Sequence, residues 1–226
     1  MRIGRVKIFA YGILMAAFLM PGLTLSAQKE TNRCKDSNVV VAYDNVEDYE
    51  LVCKALNDVI GVAKKIGLRE ELPVQITFVD KLTIAHAGTH IALFNSATMQ
   101  VQVLSREACI RSFKDEVIFG LELDTELYKS MIIHELAHVL AWQNRGLKPI
   151  RREMHEYFAY AIQLALLDET HRSRVILSND VPAFSDRSEI TELYYLLNPH
   201  FFAVKSYLHF KNIENGWAYL WSMLKE

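Results

Sequence analysis

The sequence from 127 to 144 reads LYKSMIIHELAHVLAWQN and predicts one buried helix, around which the rest of the chain is expected to pack. Apolar residues lie nearly all round this helix, which is typical of a helix enclosed by other elements. His134 and His138 are four residues apart and therefore share one face, and Glu135 follows the first of them. Two imidazoles and a carboxylate are costly in an apolar helix unless they have partners. The segment therefore predicts a polar site inside the core.

The HExxH spacing from His134 to His138 predicts a metal site. Both imidazoles can reach a single ion, and the Glu135 carboxylate can hold a water and take its proton. The alternative is a helix whose two histidines are ordinary buried residues with hydrogen-bond partners. In a chain with 8 His, a chance HExxH is expected about once in a hundred sequences. The pattern therefore favours a metal ion, and zinc is the usual occupant.

A second helix is expected to follow the first. Gly146 is predicted to end the first helix in the left-handed conformation, and Pro149 to lie in the first turn of the next. This second helix is predicted over residues 151–167, where apolar residues become dense after Met154. A third metal ligand is expected near the start of that buried stretch.

Three polar residues are candidates for the third ligand: Glu153, His155 and Glu156. His155 and Glu156 point about 100 degrees apart round a helix, so only one of them can face the site. Glu153 lies one turn before Glu156 on roughly the same face. The residues alone leave this choice open.

The segment His134-Glu135-Leu136-Ala137-His138, followed by Glu156-Tyr157-Phe158-Ala159-Tyr160, resembles the gluzincins, the metallopeptidase clan of the thermolysin-like enzymes and the zinc aminopeptidases. The resemblance covers about Leu127 to Leu167 and implies zinc, a zincin-like fold and peptide-bond hydrolysis. It also implies that Glu156 is the third ligand, with Glu135 as the general base.

Two positions depart from the clan's pattern. Tyr160 stands where thermolysin-like enzymes have an aspartate that orients a zinc histidine, and His155 replaces the asparagine that precedes the glutamate in zinc aminopeptidases. The chain is also similar to a small family of secreted bacterial proteins with an HELAH core. That likeness implies the site but no substrate.

The resemblance further implies a tyrosine or histidine donor that stabilises the oxyanion, located in the helical region after the glutamate helix. Tyr194, Tyr195 and His200 occupy that part of the chain, with Tyr207 and His209 further along. The sequence does not choose among them, and aromatic residues at this spacing are also typical of a core.

The function predicted from these features is zinc-dependent hydrolysis of peptide or other amide bonds, with a peptide or protein as substrate. Two alternatives are a catalytically inactive zinc-binding envelope protein that acts as a binding module, and a structural envelope protein without metal. The sequence does not distinguish endopeptidase from exopeptidase action. The amide bond of a peptidoglycan stem peptide is a further candidate substrate.

The amino terminus predicts a signal peptide. Arg2, Arg5 and Lys7 precede an apolar stretch over 8–20, and Leu25-Ser26-Ala27 offers a small-residue cleavage site. We therefore expect a signal peptide over 1–27 and one metallopeptidase domain over 28–226. The expected location is secreted or periplasmic, with an uncleaved membrane anchor as the alternative.

Composition and charge limit the kinds of partner that the chain is expected to bind. The net charge is -2 and basic residues do not cluster, which argues against nucleic acid. No segment after the signal peptide is apolar and long enough to cross a bilayer, and we expect a monomer. Of the three cysteines, Cys34 and Cys53 are expected to form a disulfide in an oxidising compartment. Cys109 is then expected to be a free thiol.

The pattern along the chain predicts an α+β fold in which a small N-terminal mixed sheet packs on the HExxH helix, the glutamate helix and C-terminal helices. Val39 to Val41 mark the first strand, and Met99–Val103 alternates like an edge strand. We hypothesise that Met99–Val103 or its partner lines a substrate groove by strand addition. Strands are predicted over 38–43, 73–79, 90–94 and 99–104; helices are predicted over 47–66, 189–197, 201–211 and 216–224, with a polar stretch over 168–174 and a cap at Ser188.

Overall fold

The structure, a computed structural model, describes residues 29–82, 91–113, 117–147 and 149–225. Within these ranges the chain has an α+β fold with eight α-helices and a single five-stranded mixed sheet. The predicted signal peptide lies outside the described residues. The strands are β1 (Glu30–Arg33), β2 (Val40–Tyr43), β3 (Gln75–Val79), β4 (Ala92–Asn95) and β5 (Gln100–Leu104). The helices are α1 (Val46–Ile66), α2 (Arg106–Ser112), α3 (Thr125–Asn144), α4 (Arg152–Leu166), α5 (Glu169–Asn179), α6 (Glu192–Leu197), α7 (Pro199–Asn212) and α8 (Gly216–Met223).

The sheet has the strand order β1-β2-β3-β5-β4. β2 and β3 pair in parallel, joined through α1, and β3 pairs in parallel with β5. The predicted strand pair is confirmed: β4 and β5 are antiparallel, with Phe94 opposite Val101. The prediction that Met99–Val103 is an edge strand was wrong, because β3 occupies its other side. The edge strand is its partner, β4.

The first helix follows its sequence signals. The Asn45 side chain accepts a hydrogen bond from the Glu47 N–H at the start of α1, and Gly67, with a φ of 71°, ends the helix in the left-handed region. The predicted disulfide is present: Cys34 and Cys53 join the segment before β2 to α1. Cys109 is a buried free thiol, and burial raises its pKa to about 12.

Helix α3 is enclosed, as its apolar sequence predicts. It begins at the cap Asp124, which accepts a hydrogen bond from the Leu127 N–H, and it packs against α1, α4 and β4. Of the helices in the described part of the chain, none is both long and apolar enough to cross a membrane. Most side chains of α3 are buried, so it is a core helix.

The segment between α3 and α4 differs from the prediction. Gly146 is not in the left-handed region, because Arg145 is extended and the Gly146 N–H donates to the Leu224 carbonyl at 2.8 Å. Pro149 precedes the first turn of α4, which begins at Arg152. The end of α3 is thus fixed by a contact with the C-terminal segment, which no local pattern reveals.

The C-terminal half contains more helix than predicted. The polar stretch over 168–174 belongs to α5, capped by Asp168. The cap expected at Ser188 was wrong, since Asp186 caps a short 3₁₀ helix (Arg187–Glu189) and Thr191 caps α6. Short polar helices of this kind lack the apolar periodicity on which the prediction relied.

His171 joins the start of α3 to the start of α5. Its Nε2 lies 2.7 Å from Asp124 Oδ2, and its Nδ1 lies 2.5 Å from Asp168 Oδ2. Burial lowers the pKa of His171, but both carboxylates outweigh burial and raise the pKa above its ordinary value. Burial raises the pKa values of Asp124 and Asp168, but helix N–H groups and His171 outweigh it and lower both. The three side chains form an ion-pair clamp between two helix ends.

The clamp predicts a pH-dependent stability. His171→Gln is expected to lower the free energy of unfolding by on the order of 1 kcal/mol near pH 5.5, since exposed ion pairs contribute about 0.2–1 kcal/mol each. The contribution of His171 is complete below its ordinary pKa of about 6.5 and is lost as pH rises through the raised folded value. The contribution of the carboxylates is complete above their ordinary pKa of about 3.9 and is lost as pH falls through their lowered values. Urea unfolding should show a smaller difference between wild type and variant at about pH 8.5 than at about pH 5.5. If wild type and variant differed equally in free energy of unfolding at both pH values, the His171 ion pairs would not contribute to stability as predicted.

Candidate metal centre

Helices α3 and α4 bring three potential metal ligands together. The Nε2 atoms of His134 and His138 lie 3.0 Å apart. Glu156 Oε2 lies 3.4 Å from the first and 3.7 Å from the second. The two histidines come from adjacent turns of α3, and Glu156 comes from the second turn of the neighbouring helix. Among the described residues, this is the one group of His, Cys, Asp and Glu compact enough to hold an ion.

The triangle has the dimensions of a zinc site. Tetrahedral zinc with bonds of about 2.0–2.1 Å would hold its ligand atoms roughly 3.3 Å apart. The three observed separations, 3.0, 3.4 and 3.7 Å, lie on either side of that value. Two imidazole nitrogens and a carboxylate oxygen are also a donor set that zinc binds in catalytic sites. The residues present therefore fit a zinc ion.

The charges of the triangle are coupled. Burial raises the pKa of Glu156, but the adjacent His138 and His134 outweigh it and lower the pKa to about 2. Burial lowers the pKa of His134, but the Glu156 carboxylate outweighs it and raises the pKa. Burial dominates at His138 and lowers its pKa well below the ordinary value. The carboxylate is thus anionic and one imidazole is neutral, which are the forms that bind a metal.

Glu135 points from α3 toward the sheet. Its Oε2 accepts a hydrogen bond from the Phe94 N–H of β4 at 2.8 Å. Burial, opposed by His134 and by this hydrogen bond, raises the pKa of Glu135 to about 7. The carboxylate is therefore held beside the candidate ligands by the edge strand, and it keeps its second oxygen for other partners.

The structure separates Glu156 from its competitors for the third position. Glu153 is buried, but it pairs with Arg151 at 3.0 Å and lies outside the triangle. The His155 ring stacks parallel on the His138 ring, with centroids 4.6 Å apart. Of the three candidates, only Glu156 joins the two histidines.

Gln163 is a site residue that the sequence analysis missed. His134 Nδ1 lies 3.0 Å from Gln163 Oε1, a partner on the same helix as Glu156. The Tyr160 ring instead packs on the His134 ring, with centroids 4.4 Å apart. A signal was available: a glutamine follows Glu156 by two helical turns, in a stretch of α4 that is otherwise apolar or aromatic. A buried amide there needs a partner.

The profile of a protein family described as "Family of unknown function (DUF6639)" matches residues 39–226. The chain belongs to this family. The match runs from the residue before β2 to the last residue, so both helices of the metal centre lie within the part shared with DUF6639. No curated protein and no solved structure matches the chain.

In this DUF6639 chain, Tyr195 is the predicted oxyanion donor that lies nearest the triangle. Burial together with the Glu156 charge raises the pKa of its hydroxyl. The Arg152 guanidinium lies 5.3 Å from the centre of the Tyr195 ring. Tyr195 is therefore a neutral hydroxyl near Glu156.

The other aromatic candidates of the DUF6639 chain have different neighbours. Tyr194 packs against Phe184 and Phe202. The His200 ring contacts Phe119, with centroids 5.2 Å apart, and the Phe119 ring in turn contacts Tyr160.

Two more aromatic candidates lie further along α7. Tyr207 packs on Phe210, and His209 Nδ1 is 2.7 Å from the Tyr157 hydroxyl. None of these contacts involves a residue of the triangle.

Proposed function

We propose that this chain is a zinc-dependent hydrolase of peptide or other amide bonds, with a zincin-like active site formed by α3, α4 and β4. One observation carries the proposal: the His134, His138 and Glu156 triangle has the dimensions of a zinc site, and Glu135 lies close enough to interact with its charges. The two histidines and the glutamate of the triangle, with a second carboxylate beside them, support hydrolysis by a metal-activated water. The predicted signal peptide and the Cys34–Cys53 disulfide support a secreted or periplasmic location.

Each side chain has a defined role in the proposed reaction. His134, His138 and Glu156 would hold zinc, which when bound supplies a Lewis acid and makes a water more acidic. Glu135 accepts the proton of the attacking water and returns it to the leaving amine. The Phe94 N–H orients the Glu135 carboxylate during both transfers. Tyr195 donates a hydrogen bond to the carbonyl oxygen as negative charge develops there.

The outer edge of β4 is the proposed substrate groove. The Phe94 N–H points away from β5 toward Glu135, so the backbone groups of Ala92 and Phe94 face this edge rather than the sheet. Because Glu135 already takes the Phe94 N–H, an extended peptide would add to this edge through the outward groups that stay open, the Ala92 backbone and the Phe94 carbonyl. A peptide aligned there would lie between β4 and the metal ligands, next to Glu135. This arrangement supports a peptide over a compact small molecule as the substrate.

The proposal is tested by the zinc content of the purified chain and by its action on a quenched-fluorescence peptide library. We expect one zinc per chain by elemental analysis, cleavage of some peptides, loss of cleavage with a chelator and recovery with added zinc. Zinc without cleavage would refute the hydrolase and favour a zinc-binding module. A chain without stoichiometric metal would refute the zinc site itself.

The contact between β4 and Glu135 gives a prediction about turnover. Phe94→Pro removes the N–H that binds Glu135, whereas Phe94→Ala keeps it while losing the same ring. A hydrogen bond to a charged group contributes about 1.5–3 kcal/mol, so we expect kcat for Phe94→Pro to be roughly 10- to 100-fold below that of Phe94→Ala. The sheet should tolerate proline because this N–H does not bond β5. Equal kcat values for the two folded variants would exclude a role for the backbone donor.

A further inference from the structure

A chain of buried hydrogen bonds leads away from the metal centre. His134 Nδ1 lies 3.0 Å from Gln163 Oε1, and Gln163 Nε2 lies 3.0 Å from Ser130 Oγ. Ser130 Oγ lies 2.7 Å from the Leu127 carbonyl oxygen. The exposed fractions of Ser130 and Gln163 are 0%, and that of His134 is 5%. This series of hydrogen bonds is closed to solvent, so its donors and acceptors must pair with one another.

The order of donors and acceptors in this chain has one solution. A carbonyl oxygen only accepts, so the Ser130 hydroxyl donates its single proton to Leu127. Ser130 Oγ can then only accept from the Gln163 amide nitrogen, which turns Gln163 Oε1 toward His134. Because that oxygen also only accepts, His134 Nδ1 must carry the hydrogen. In the neutral form of His134, the lone pair is therefore on Nε2, the atom in the triangle.

His138 lacks this support. Its Nδ1 is buried and has no hydrogen-bond partner among the described residues, and its ring is held by the parallel His155 ring. The two histidines of the centre are thus fixed by different means. Only His134 has a hydrogen bond that selects a tautomer.

We propose that Gln163, set by Ser130, is a positioning residue that holds His134 with its hydrogen on Nδ1 and its Nε2 lone pair directed at the metal. The inference rests on the proposed function for the identity of the metal, but the tautomer does not depend on it. An amide is neutral, so this partner orients the imidazole without adding negative charge to the site. Outer partners of metal-binding histidines commonly act in this way.

Zinc affinity tests the positioning role. Gln163→Leu removes the acceptor, and Ser130→Ala removes only the group that orients it. Loss of such an outer partner costs about 10- to 100-fold in metal affinity, so we expect that range for Gln163→Leu and a smaller loss for Ser130→Ala. Gln163→Glu restores an acceptor and should bind zinc nearly as tightly as the wild type. Ser206→Ala is the matched control, because Ser206 is an equally buried helical serine whose Oγ has no hydrogen-bond partner among the described residues.

Nuclear magnetic resonance of the chain labelled with ¹⁵N-histidine tests the tautomer directly. We expect one slowly exchanging Nδ1–H signal from His134, present in wild type and Ser206→Ala, and lost in Gln163→Leu. The signal should be present with and without zinc, since Nδ1 carries its hydrogen in both states. Zinc affinity within twofold of wild type and an unchanged signal in a folded Gln163→Leu chain would overturn the inference. A wild-type chain that binds no zinc would refute the proposed function, while the signal in that metal-free chain would still decide the role of Gln163.

Discussion

Glu135→Gln is expected to remove hydrolysis while leaving zinc in place. The glutamine keeps an oxygen that can accept the Phe94 N–H, so the side chain should stay where it is. An amide cannot take a proton from water at neutral pH, and loss of general-base catalysis typically costs about 10²- to 10⁴-fold in rate. The measurement is kcat/KM on the best peptide of the library, with zinc content measured on the same samples.

Glu126→Gln is the matched control for that change. Glu126 is in the first turn of the same helix and pairs with Lys129 at 2.9 Å, away from the triangle. Its substitution should leave kcat/KM unchanged. If Glu135→Gln retained kcat/KM within about tenfold of the wild type at full zinc occupancy, Glu135 would not be the general base.

Glu156→Gln is expected to lose zinc, whereas Glu153→Gln is expected to keep it. Both glutamates lie on α4, three residues apart, but only Glu156 reaches the two histidines. Removing a ligand should weaken zinc by more than the roughly 10- to 100-fold that loss of an outer partner costs. Competition against a chelating dye would measure the affinity of both variants.

The pair of variants decides the third ligand. Zinc retained in Glu156→Gln and lost in Glu153→Gln would move the ligand to Glu153. Zinc retained in both would leave His155, whose ring already stacks on His138. Circular dichroism of each variant would show whether α4 has kept its structure, since Glu153 also pairs with Arg151 at the helix start.

The parts of the site that could be predicted from the sequence are those set by local helical geometry. His134 and His138 share a face because they are four residues apart on one helix. Asn45 and Gly67 mark the ends of α1 because capping depends on a few neighbouring residues. The resemblance supplied Glu156 as the third ligand, which its place in the triangle supports.

The features that could not be predicted depend on residues far apart in the sequence. The lone glutamine in the apolar stretch of α4 signals a buried amide, but its partner His134 is 29 residues away and nothing next to either residue indicates that pair. β5 alternates like an edge strand, but β3 covers it, and strand order does not follow from alternation. The polar helix α5 was missed because its apolar face is too small to give a periodic signal.

The bond between Glu135 and β4 also bears on the solubility of the folded chain. An edge strand presents unpaired backbone groups that can pair with another copy of the chain and lead to aggregation. In β4, the outward Phe94 N–H is already occupied by the Glu135 carboxylate. The side chain proposed to act on substrate therefore also blocks one point at which two molecules could join edge to edge.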